Sequence, residues 1–231
     1  MSDKKDISLL EQLIKFYRAQ VEPVAIESLR LLPDSIVLGT SILAFLGMSS
    51  TYAIMVGSMI EFMVIYRIFS GAIGGISPLG AGSDALHQVC QVGFHFPNKM
   101  RLSLFEFICV PSMFPSPVMF FLSAVVSYMI SAMIQFKNEI NTLGGNLATR
   151  TTVGVVMGFM FLFVVLSFRY SYGCENFGSL FLSLLLGCIM GVAVLYQNIA
   201  LYGRSGVNIL NLPMILTTEE QGKPMYVCAP S

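Results

Sequence analysis

The sequence predicts an all-α protein, a polytopic transmembrane helix bundle, and three observations predict it. Of 231 residues, 55% are hydrophobic and only 11% charged, with a mean hydropathy of +0.74, whereas a soluble domain carries about a quarter charged residues. Uncharged runs occupy 35–60, 151–168 and 177–203, and a helix needs roughly 20 apolar residues to cross a hydrocarbon layer of about 30 Å. Within the apolar segments, glycines and serines recur four apart, the spacing that lets helices approach closely in lipid. Thirteen basic and thirteen acidic side chains cancel, so no net field draws the chain to nucleic acid and none is expected as a partner.

The chain divides into an N-terminal arm (1–33), a membrane bundle (34–204) and a C-terminal tail (205–231). In the arm, Ile7, Leu10, Ile14, Tyr17 and Val21 repeat at helical spacing among Glu11, Lys15, Arg18 and Glu22. Ser8 with Glu11 reads as a capping box that starts an amphipathic helix. Pro23 either ends that helix or opens a second short one through Leu32. Such an arm can lie on the membrane surface or dock on a partner, and its mixed charge favours a protein partner or its own bundle over anionic lipid.

The next stretch allows two arrangements. One long tilted span over 35–60 leaves 68–79 as an interfacial or re-entrant piece, giving four spans in all. A break near Gly47–Thr51 instead adds a span at about 62–76 and gives five. The first is favoured, because the second places Glu61 and Arg67 inside a short span. Six apart on a helix, these two do not share a face. They are the candidate intramembrane polar residues.

Residues 80–116 form the longest polar connection. His87, Cys90 and His95 lie there, but the set lacks a fourth ligand and fits no zinc spacing, so no metal or other cofactor is expected. Five cysteines are an odd number, and Cys109 and Cys188 lie in apolar segments, which does not suggest a disulfide framework. Pro111, Pro115 and Pro117 mark the entry to a span at 118–136. Ser123, Ser127 and Ser131 line one of its faces.

Two further spans, 151–170 and 177–201, form a hairpin across a six-residue polar link. Gly154 and Gly158 in the first, and Gly187 and Gly191 in the second, fall at matched depth, and the glycine faces are expected to touch each other. The serine stripe is expected to pack on this hairpin. The tail carries two β-prone runs, 214–218 and 225–227, around Gln221 and Gly222, consistent with a small hairpin or with an extended peptide lying on a neighbour.

The stretch Tyr202-Gly-Arg-Ser-Gly-Val-Asn-Ile-Leu-Asn-Leu-Pro-Met-Ile-Leu, followed by Gly222-Lys-Pro-Met-Tyr-Val-Cys-Ala-Pro, resembles the C-terminal signature of multi-span proteins from nucleocytoplasmic large DNA viruses of the chlorovirus and mimivirus kind. The likeness covers mainly the last thirty residues. It implies a virion internal membrane as location and capsid or minor capsid proteins as partners, beside the lipid bilayer itself.

No catalytic triad, phosphate loop or paired carboxylate assembles from these spans, so the expected function is structural and not enzymatic: a membrane protein anchoring a large assembly. The alternative is a small transporter or channel subunit using Glu61 and Arg67. With four spans, nine basic residues fall on the side of the N-terminus against four opposite, which places that terminus on the cytoplasm-equivalent side.

Overall fold

The computed structural model describes residues 9–74, 90–95, 101–109, 115–137, 140, 145–209, 214–216 and 225–227. Helix α1, Leu9–Phe16, passes through a π turn, Tyr17–Val21, directly into α2, Glu22–Leu46. Pro23 falls in the first turn of α2, where a missing N–H costs nothing. No second short helix ends at Leu32, because the helix runs on through the buried Pro33. Ser8, half of the expected capping box, lies outside the described residues.

The single span at 35–60 is corrected. The chain reverses at Gly47 and Met48, whose φ is +43°, and α3 follows as Ser50–Gly74. A Cβ on Gly47 would lie 2.8 Å from the Leu43 carbonyl oxygen, so only glycine closes helix α2 this tightly. The length that 35–46 lacks comes from upstream. Ile14–Leu46 is a 33-residue candidate span, about 50 Å of helix at 1.5 Å per residue. The arm and first span are therefore one rod, and the arm does not lie apart.

Beyond α3, a two-residue pair joins β1 (Phe94–His95) to antiparallel β2 (Arg101–Leu102), and α4 is the short Leu104–Ile108. Helix α5, Pro117–Gln135, is capped by Ser116, whose Oγ accepts the Met119 N–H at 3.3 Å, with proline in its first turn. Then come α6, Gly145–Ser171, and α7, Phe177–Gly206. Gly203, at φ +72°, breaks the helical path of α7, so regular helix stops close to the expected end at Leu201. In the tail β3 (Met214–Leu216) pairs antiparallel with β4 (Met225–Val227), Ile215 opposite Tyr226, as the two runs suggested.

Among the described residues, five helices are long and apolar enough to cross a membrane, and the chain is a multi-span membrane protein. Helix α5 is the axis of the bundle. Val118–Val125 are all buried, so its first two turns are enclosed on every side. Helix α7 lies on one side of it, α6 and α3 on others, and α2 lies along α3. Tyr66 of α3 tilts against Phe120 at 5.5 Å, and Phe62 meets Tyr128 edge-on at 6.3 Å.

The expectation that the glycine faces of α6 and α7 touch each other is overturned, because both turn to α5. A Cβ on Gly187 would overlap Ser123 Oγ and the Phe120 carbonyl, and one on Gly191 the Ala124 carbonyl. Gly158 faces Val126 and Ile130, and Gly154 faces Met133. Matched depth across a short link was satisfied by a common partner. The serine stripe meets one half of the hairpin: Ser123 Oγ donates to Ser183 O at 3.4 Å and Ser127 Oγ to Cys188 O at 2.9 Å, both on α7. Ser131 is half-buried.

Candidate functional site

Polar chemistry gathers in two places. The first is inside the membrane section, where α3, α5 and α7 meet. Asn198 Nδ2 donates to Ser58 Oγ at 2.7 Å and to the Tyr128 hydroxyl at 3.0 Å, while Ser58 Oγ donates to Ile54 O at 2.9 Å. All three side chains are buried. Each such bond contributes about 0.6 kcal/mol in a membrane, with a ceiling near 1.7.

Beside this junction but facing outward, Gln197 Nε2 donates to Glu61 Oε1 at 2.8 Å. Glu61 is half-buried and Gln197 exposed. Seven residues, about 10 Å of helix, separate Gln197 from Arg204, whose guanidinium reaches Gln135 O at 2.8 Å and stacks 5.3 Å from the Phe136 ring at the bundle end. The Glu61–Gln197 pair therefore lies about two turns of α7 from the bundle end, inside two candidate spans. A carboxyl side chain is costly to place in a membrane span, and the Gln197 donor offsets part of that cost.

The candidate Arg67 does not join it. Arg67 is exposed, and no ion pair links it to Glu61 among the described residues. A transport path through Glu61, Arg67 and the 71–80 stretch would need them on one lining, and 75–80 lie outside the described residues. A cavity between α5 and the end of α7, lined by Met129, Met133, Phe136 and Val207, holds about 20 Å³, room for about one water.

The second place is a cap at the end of the bundle where α3, α5 and α6 meet their connections. Asp34, inside α2, accepts the Phe105 N–H at 2.8 Å and so holds the start of α4. Phe105 packs against Phe121 at 5.3 Å. The Tyr66 hydroxyl donates to Pro115 O at 2.6 Å. Burial pushes the Cys109 thiol up to about 12, with Arg67 drawing it back only a little; a thiol held protonated is chemically inert.

The α6–α7 link belongs to this cap. Arg169 makes a bidentate pair with Glu175 at 2.9 and 2.7 Å, and the Tyr172 hydroxyl donates to Glu22 of α2 at 2.6 Å. Between them a disulfide joins Cys174 to Cys90. The expectation of no disulfide is thus corrected: the odd count conceals one pair, formed by two cysteines that both lie outside the apolar runs. It also removes Cys90 from any metal-ligand set with His95, while His87 lies outside the described residues.

Sequence reading counted charges and so missed Gln197 and Asn198, adjacent amides in an otherwise apolar span, which were the available signal. It had no signal for their partners Ser58 and Tyr128. No protein-family model, curated protein or solved structure matches the chain.

Proposed function

We propose that this protein is a structural, non-catalytic membrane anchor that ties a bilayer to a protein assembly. The observation that carries this reading is how the membrane section is closed. Its axial helix is enclosed, its buried amide and hydroxyls bond one another, and the glycines of α7 seat that helix directly on the backbone of α5. Such a core resists separation of α3, α5 and α7. What the chain presents outside the membrane is a stapled cap, the α1 end of the α1–α2 rod and a tail hairpin, which are contact elements.

The resemblance of the C-terminal stretch is the reason for taking the assembly to be a virion and its partners to be capsid or minor capsid proteins. The disulfide adds support. With five crossings, the N-terminus, the 75–116 connection and the α6–α7 link share one face. By chain order that face holds Lys4, Lys5, Lys15, Arg18, Arg30, Arg67, Lys99, Arg101 and Arg169, against Lys137, Arg150, Arg204 and Lys223. The basic bias makes it the cytoplasm-equivalent side, yet disulfides seldom persist beside reducing cytosol. Both conditions are met when a cytosol-facing surface is carried out of the cell in a particle.

Deleting 210–231, beyond the buried Val207 and Asn208, tests the anchor reading. Insertion should be unchanged and incorporation into the assembly lost. Should purified protein in liposomes pass a solute or ion, and Glu61→Gln or Arg67→Gln abolish that flux, a transporter would replace the anchor.

A further inference from the structure

From Leu102 to Phe136 the sequence carries a single charge, Glu106, and α5 uses only Pro117–Gln135 of that stretch. The apolar residues before Pro117 need a place of their own, and α4 shows where it is. Its Phe105 and Cys109 are buried, while Leu104 and Phe107, on the other side of the helix, are 47% and 84% exposed. What covers so exposed a phenylalanine depends on its depth.

Three contacts on three different helices give that depth. The Phe105 N–H donates to Asp34 Oδ1 of α2 at 2.8 Å, the Cys109 thiol lies 3.9 Å from Met63 O of α3, and the Phe105 ring packs 5.3 Å from that of Phe121 of α5. At 1.5 Å per residue, Asp34 is about 18 Å from Leu46, Met63 about 20 Å from Ser50 and Phe121 about 21 Å from Gln135. Those helix ends share the tail side of the bundle. There α2 turns into α3, Thr51 Oγ1 donates to Ser205 O at 3.5 Å, and Arg204 donates to Gln135 O at 2.8 Å. Exposed Lys137 and Arg204 keep the hydrocarbon from extending past that level, since such cations belong to the interface. Helix α4 therefore sits about 20 Å into a layer of about 30 Å, or about 10 Å beneath the cap-side surface. Helix tilt shortens the height from the tail side and so only deepens α4.

We propose that α4 is a re-entrant foot: the connection between α3 and α5 dips into the bilayer from the cap side, and Leu104 and Phe107 rest against lipid acyl chains. Pro117, where α5 begins, is about 27 Å from Gln135, so the chain climbs back to the cap-side surface before it crosses. This reading also accounts for a carboxylate inside a span. The first N–H groups of a helix have no partner within it, and in hydrocarbon each one left unpaired is costly. Asp34, buried within a candidate span, accepts one of them. The connection is then held at two points, by the disulfide at Cys90 and by α4 in the bilayer. The inference needs only that the chain spans a membrane, so it stands apart from whether the protein anchors an assembly or carries a solute.

The chain has no tryptophan, so a single introduced one reports alone. Full-length Phe107→Trp is reconstituted in phosphatidylcholine vesicles whose acyl chains carry bromine either beside the headgroup or midway along the chain. Two references bracket it. Phe163→Trp places the probe at an exposed residue within a candidate span, and Phe16→Trp at an exposed residue about 45 Å from Leu46 along the rod, outside the layer. Emission from Phe107→Trp should be blue-shifted and largely lost to bromine midway along the chains, with little loss to aqueous iodide, as for Phe163→Trp. Phe16→Trp should show the reverse. Leu104→Trp, on the same side of α4, repeats the measurement, and an intact Cys90–Cys174 disulfide shows that each variant is folded. Iodide quenching of Phe107→Trp and Leu104→Trp equal to that of Phe16→Trp overturns the proposal. So does stronger quenching by bromine beside the headgroup, which puts α4 at the surface, or quenching by neither agent, which means that protein covers this side.

Discussion

Helices α6 and α7 are two spans of equal hydropathy, each carrying one pair of glycines four apart, yet 39% of the apolar window of α7 is buried against 11% for α6. The difference lies in what their glycines meet. Those of α7 rest on carbonyls and a serine of α5, which cannot move aside, whereas those of α6 rest on Met133, Val126 and Ile130, side chains that can. A small-residue motif therefore marks a surface able to come close, and the partner decides whether it becomes a fixed joint or a loose one. Helix α7 is part of the core, while α6 is held mainly at its end, by the ties around the link.

The sharpest way to break this comparison is to fill the glycines. Gly191→Leu should cost about 3 kcal/mol or more, since overpacking against backbone cannot be relieved by a rotamer change, and Gly158→Leu about 1 kcal/mol or less. Denaturant titration in micelles reads both, and equal losses would show that the two contacts are alike. Cys174→Ser comes next. It should cost about 2 kcal/mol, below the value of about 4.6 expected for a loop this long in a free chain, because the spans stay inserted. The loss should appear as earlier proteolysis around α6 with α7 unaffected.

A smaller effect is expected at the internal junction. Asn198→Leu removes the donor to Ser58 and Tyr128 and should cost about 1 kcal/mol, whereas Gln197→Leu, which takes the donor from the half-buried Glu61, should cost about 0.5 kcal/mol. If both cost the same, the inward and outward amides are not doing different jobs. The smallest effect is at Cys109. A thiol pushed up to about 12 remains protonated through neutral and mildly alkaline pH, so maleimide should label it negligibly at pH 8 in folded protein and fully once the protein is denatured. Reactivity should rise only as pH climbs toward that value, the thiolate being the reactive form.

The spans that were legible in the sequence are those whose ends carry their own chemistry. Ser116 and Pro117 open α5, the polar link closes α6 and opens α7, and Gly203 breaks the end of α7; each boundary falls close to its expected place. The break at Gly47–Ser49 was not legible, because its turn is as uncharged as the helices it joins. Nor could the sequence show that Glu61 was acceptable in a span, since its hydrogen-bond donor lies 136 residues away. The packing residues were visible as a spacing, but which faces they would join depended on α5 lying between α6 and α7. The polar sites follow the same pattern. Asp34, Phe105, Cys90 and Cys174 come together only after the helices have crossed, and nothing local to any one of them announces it.

The Cys90–Cys174 bond also makes a closed covalent ring from the stretch between its two cysteines, and two bilayer crossings, α5 and α6, belong to that ring. Tryptic cleavage at Lys137 or Arg150, on the opposite membrane face, therefore opens the ring without dividing the molecule. The nicked chain should migrate as a full-length species of 25.3 kDa until a reductant is added, and only then separate into an N-terminal piece containing α5 and a C-terminal piece containing α7. A protein built this way can be cut on one side of the membrane and still keep both halves tied together from the other.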